Sequence, residues 1–127
     1  MKKVLIATDK PGVFKLVKVP EPEKRNHRVT LRLSEYEYDV ISELVPDGSS
    51  VGRYLRELVV KQTHIVLRYG VGIISSNCIE CEPEEEAREK VVHLNMTATE
   101  FKEFEEICDT YKKAKGFMAR LFIFGRY

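Results

Sequence analysis

Arg28, Thr30 and Arg32 stand two residues apart, with Val29, Leu31 and Leu33 between and after them. Strict alternation puts the two sets on opposite faces of a strand. The apolar set needs a core. The polar set makes a row of hydrogen-bond donors about 6–7 Å apart, and its chemistry is that of base edges in a major groove. Arginine fits guanine O6 and N7, and threonine donates, accepts or touches a thymine methyl. The pattern returns downstream, where His93 and Asn95 alternate with Val92, Leu94 and Met96, and Val91 stands at the place of Arg28. Asparagine suits adenine N6 and N7; His93 is either a base or phosphate contact or a plain exposed side chain. The bland alternative for the first row is a charged edge strand that resists aggregation.

Each polar row is followed at once by a helix start. Ser34 with Glu37, and Thr97 with Glu100, are capping boxes. Tyr38, Ile41, Leu44 and Val45 then follow helical spacing, as do Phe101, Phe104, Ile107 and Cys108. Pro46-Asp47-Gly48 stops the first helix, and Ser49-Ser50 caps a second with Tyr54, Leu55, Leu58 and Val59 inward. Phe117, Met118, Leu121 and Phe122 repeat that spacing, so the two segments align without a gap at an offset of 63. The aromatic residues, among them Tyr36, Tyr69 and Tyr111, read as packing residues rather than base-stacking platforms.

A strand and two helices of this length cannot bury their own apolar face, and a lone strand leaves its backbone groups unpaired. Two copies solve both problems. The expected architecture is α+β: residues 26–62 and 89–127 pair their strands into a two-stranded antiparallel ribbon over four helices, as one pseudo-twofold domain. Residues 1–25 read as an N-terminal β-hairpin arm turning at Asp9-Lys10-Pro11-Gly12. Residues 63–88 read as a linker with short strands at Ile65-Val66-Leu67 and Val71-Gly72-Ile73-Ile74, and a loop from Ser75 to Glu86.

Strand, capped helix, turn and helix with Arg-x-Thr-x-Arg facing outward resembles the ribbon-helix-helix DNA-binding proteins. Two units in one chain resemble the tandem members, such as the conjugation protein TraY and regulators of archaeal viruses. The resemblance covers about residues 27–62 and 90–124. It implies sequence-specific binding of double-stranded DNA by a transcriptional regulator of viral or plasmid type, with Arg28, Thr30, Arg32, His93 and Asn95 as base contacts. It also implies phosphate contacts by amides at the start of each second helix, near Ser49, Ser50 and Val51 and near Lys112, Lys113 and Ala114. A helix N-terminus offers unsatisfied N–H groups and the positive end of its dipole. The two polar rows differ, so an asymmetric site is expected, with the first row the stronger reader. The rival is a protein-interaction module, antitoxin-like or an assembly factor, built on the same fold. Self-association into dimers or higher oligomers on DNA stays open.

Charge is distributed in keeping with a local footprint. The net charge is +1, yet residues 1–33 hold nine Lys or Arg against three Asp or Glu, which argues against indiscriminate coating of nucleic acid but not against a basic patch. No apolar run approaches a membrane span and no signal-peptide pattern is present, so a cytoplasmic protein is expected, in a host cell if viral. Cys78, Cys81 and Cys108 do not form a secreted disulfide framework. Cys78-x2-Cys81 has the spacing of half a zinc site without a second half, so neither metal nor cofactor is expected. With no phosphate loop, nucleophile-base pair or metal-ligand spacing, the chain does not read as an enzyme.

Overall fold

The computed structural model describes residues 2–7 and 14–19 as paired strands and residues 23–70, 78–82 and 86–125 in full. The fold is α+β. Strand β1 (Lys2–Ala7) pairs antiparallel with β2 (Phe14–Val19) in a two-stranded sheet of its own. Then β3 (His27–Leu33), α1 (Glu35–Leu44) and α2 (Val51–Tyr69) are followed by β4 (Lys90–Met96), α3 (Ala98–Tyr111) and α4 (Lys115–Phe124). The turn expected at residues 9–12 and the strand expected at Val71–Ile74 lie outside the described residues.

β3 and β4 form the second two-stranded antiparallel sheet. At its centre Thr30 faces His93; toward one end Arg28 faces Asn95, and toward the other Arg32 faces Val91. Val29, Leu31 and Leu33, with Val92, Leu94 and Met96, are buried on the inner face, each contributing about 1.5–3 kcal/mol on removal from water. The second helices cross over beneath them: α2 packs under β4, α4 under β3, and the two helices touch each other. Neither β-α-α segment could close this core without the other.

Both capping boxes are formed. Ser34 Oγ accepts from the Glu37 amide at 3.1 Å, while the Ser34 amide donates to Glu37 Oε1 at 2.9 Å. Thr97 and Glu100 do the same at 3.1 and 3.0 Å. Each strand therefore ends one residue before a helix is nucleated. Beyond that, the segments diverge. Pro46 disfavours helical backbone at Val45, which is extended at φ −73°, ψ 123°, so α1 stops at Leu44. With no proline, α3 runs on to Tyr111 and ends on Lys112 in the left-handed region, φ 55°. That longer helix and a shorter turn leave α4 starting one residue later than an offset of 63 requires: the caps are Ser50 and Ala114, 64 apart. The alignment thus carries a one-residue gap at the second turn.

Further expectations are corrected. Ile65-Val66-Leu67 is helical, because Leu55, Val59, Gln62, Thr63 and Val66 continue one buried stripe to the end of α2. The first segment therefore extends to Tyr69, and Gly70 ends the helix at φ 86°. The stripe includes two buried polar residues: Gln62 Nε2 donates to the Phe122 carbonyl at 3.0 Å, and Thr63 Oγ1 to the Val59 carbonyl at 2.8 Å. Leu44, at the end of α1, is 48% exposed rather than inward. Tyr69 and Tyr111 are exposed at helix ends rather than packed. Within the segment read as a loop, Ile79 and Cys81 are buried, and the Ile79 amide donates to the Ile123 carbonyl at 2.7 Å, tying residues 78–82 to the end of α4. Cys108 is buried as its helical position implies, and burial pushes its thiol up to about 11. None of the three cysteines forms a disulfide.

Candidate nucleic-acid interface

Arg28, Thr30, Arg32, His93 and Asn95 are all exposed on the outer face of the β3–β4 sheet, with Val91 as the sixth residue of that face. Directly opposite residues in an antiparallel pair share a face at about 4.5–5.5 Å between Cβ atoms. The six side chains thus form a grid of three cross-strand pairs on one exposed face.

A hollow lies on each side of this grid. One, of about 210 Å³, is bounded by His93 and Asn95 on the sheet and by Ser50, Gly52, Arg53 and Arg56 at the start of α2. The other, of about 410 Å³, is bounded by Thr30 and Arg32, by Arg88, and by Gly116, Phe117 and Arg120 at the start of α4. With the one-residue gap in the alignment, the walls correspond: Gly52 with Gly116, Arg53 with Phe117, Arg56 with Arg120.

The glycines explain how helix starts come so near the strands. A Cβ on Gly52 would sit 3.1 Å from the His93 carbonyl oxygen, whereas one on Gly116 would sit 3.9 Å from that of Thr30. Alanine is worth up to about 1 kcal/mol over glycine in a helix. Gly116→Ala is therefore expected to raise the urea midpoint, and Gly52→Ala, which must push α2 off the strand, to gain nothing or to lower it.

The amides at these helix starts are not equally available. Those of Ser49, Lys112 and Lys113 are already spent on the Pro46, Asp109 and Cys108 carbonyls at 3.1, 3.3 and 2.9 Å. The Arg53 amide meets Ser50 Oγ at 3.2 Å. The first amides of each helix, on Val51 and Gly52 and on Lys115 and Gly116, have no carbonyl of their own helix to meet. Of these four residues Gly52 and Gly116 line the hollows; Ser50 and Ala114 are the caps, and α4 has no side-chain cap.

Charge completes the surroundings. Arg53 is exposed and bonds Glu57 Oε1 one turn on at 3.2 Å. Arg56 is largely covered, and burial lowers its pKa first, with Arg25 adding to the effect. Arg120 is 7% exposed. Its Nη1 and Nη2 bond the Glu37 carboxylate at 3.0 and 2.6 Å, and Nη1 also reaches the Arg32 carbonyl at 3.0 Å. Burial alone would raise Glu37. The hydrogen bonds from Arg120 and from the Ser34 amide, with the charges of Arg120 and Arg88, outweigh it and hold the carboxyl below its ordinary 4.5. The corresponding Glu100 pairs instead with Arg25, in the segment entering β3, and Thr99 Oγ1 donates to Glu23 beside it at 2.8 Å.

Sequence reasoning missed Gly52, Arg53, Arg56, Arg88, Gly116 and Arg120. A glycine inside a helical stripe and an arginine in the apolar run of α4 were the available signals. Among the described residues, no group of three or more His, Cys, Asp or Glu side chains is placed to hold a metal, and no helix is long and apolar enough to cross a membrane. Comparison of the chain with protein-family models, with curated proteins and with solved structures finds no match.

Proposed function

We propose that the chain is a single-chain counterpart of a ribbon-helix-helix dimer and binds double-stranded DNA sequence-specifically, as a regulator rather than an enzyme. The ribbon β3–β4 lies in the major groove, and the starts of α2 and α4 hold a phosphate on either side. The observation that carries this reading is the outward grid, where five of six side chains are base-reading types held in register and flanked by two hollows at helix N-termini. A ribbon of two strands is of a size that a major groove admits. The interlocked packing of α2 under β4 and α4 under β3 supports the pseudo-twofold arrangement, centred on Thr30 and His93.

The test is selection from a random duplex library followed by a salt titration on the enriched site. One enriched, asymmetric sequence is expected, with affinity falling linearly in log–log form as salt rises, at about −0.9 per phosphate neutralised. Absence of any enriched sequence at low salt would contradict the proposal and favour the interaction module.

A further inference from the structure

The register divides the outward face differently from the sequence. Spacing along a strand is about 6–7 Å between residues of one face, but directly opposite residues are nearer, at about 4.5–5.5 Å. The nearest outward neighbour of Arg28 is therefore Asn95, and that of Arg32 is Val91. Stacked bases are about 3.4 Å apart along a strand, so a facing pair addresses neighbouring base pairs, and each end of the ribbon addresses one half of a site.

Val91 is the exception on this face. It is 46% exposed, one of only five large hydrophobics so placed among the described residues. The other four, Leu44, Leu67, Tyr69 and Tyr111, lie at or near helix ends; Val91, the second residue of β4, is paired in the sheet opposite Arg32. An apolar side chain among base readers has one partner in a major groove, the thymine C5-methyl.

Building on the DNA-binding reading, we propose that Val91 reads a thymine methyl and that the protein reads its site by ribbon ends rather than by strands. One half-site is read by Arg28 with Asn95, as a guanine beside an adenine. The other is read by Arg32 with Val91, as a guanine beside a thymine. Both halves then combine a G·C with an A·T pair, one sensing the A·T pair through hydrogen bonds and the other through a methyl group.

Deoxyuridine separates the two modes, because it keeps the base pair and removes only the methyl. On the selected site, the guanine read by Arg32 is located as the one whose preference Arg32→Ala abolishes. Deoxyuridine at the thymine beside it is expected to weaken wild-type binding about fourfold, the factor matching the ~0.8 kcal/mol of one buried methyl group. At the A·T pair beside the guanine of Arg28, the same replacement is expected to change nothing. Val91→Ala should bind the thymine and deoxyuridine sites equally; a partial loss of fold would lower both affinities by the same factor and leave that ratio of one unchanged. A wild-type ratio of one, a ratio unchanged by Val91→Ala, or no thymine at that position overturns the assignment while the DNA-binding reading stands. Absence of any enriched sequence overturns both.

Discussion

Arg120→Ala is expected to destabilise the fold by about 3 kcal/mol, the low end of the cost of leaving one member of a buried ion pair without its partner, since the Glu37 side chain keeps 14% exposure. Arg120 does three things in this fold. Its two terminal nitrogens hold the Glu37 carboxylate, one of them also holds the Arg32 carbonyl, and its stem lies among the buried residues of α4. Glu37 in turn closes the capping box that starts α1. The truncation therefore leaves a largely covered carboxylate without its cation at the α1 start and frees the end of β3 that carries Arg32. Urea denaturation of wild type and variant checks the magnitude.

The pH dependence follows from the direction of the Glu37 shift. Its folded pKa lies below 4.5, so the pair contributes fully above the unfolded value, and its contribution is lost as pH falls through the folded one. In Arg120→Ala only burial and the smaller interactions remain, the carboxyl titrates higher, and its protonation relieves the buried charge. The gap in stability between wild type and variant should accordingly narrow as pH falls. A gap constant from neutral pH to acid would mean that Arg120 stabilises by packing alone.

The second large effect is expected in recognition. Arg28→Ala and Arg32→Ala should each cost about 1–3 kcal/mol on the selected site, about 5- to 150-fold, and relax the preference at one guanine. Binding to unrelated duplex should fall far less, because phosphate contacts supply that affinity. The two arginines lie four residues apart at opposite ends of β3, about 13 Å, and share no hydrogen-bond partner among the described residues, so the double variant should be additive. Competition binding against unrelated duplex reads all of these. Equal losses on specific and unrelated DNA would make both residues general phosphate contacts.

What could be read from the sequence was local. The alternation in Arg28–Leu33 and in Val91–Met96, and the Ser34/Glu37 and Thr97/Glu100 pairs, act within four residues and were enough to place both strands and both caps. The length of α2 was hidden because Ile65-Val66-Leu67 suits a strand as well as a helix, and because Gln62 and Thr63 interrupt the apolar stripe that the core completes. Their acceptors lie at Phe122, 60 residues away, and at Val59. The role of Arg120 was not legible because its partners, Glu37 and Arg32, are 83 and 88 residues distant. Glu37 itself was legible only in its capping role. The one-residue slip at α4 arises from Pro46, which shortens α1 and has no counterpart in α3. Without that slip placed, Gly52 could not be matched to Gly116, nor Arg56 to Arg120, and the two hollows had no visible relation. The pairing of Arg28 with Asn95 is a matter of register, which alternation alone leaves open.

Methylation of guanine N7 by dimethyl sulfate on the selected site tests the central claim most directly, since N7 lies in the major groove. With wild-type protein, one guanine in each half of the site should be protected; Arg28→Ala should lose protection in one half only, and Arg32→Ala in the other only. Guanine N7 left fully reactive in both halves while the protein is bound would contradict major-groove reading by the ribbon.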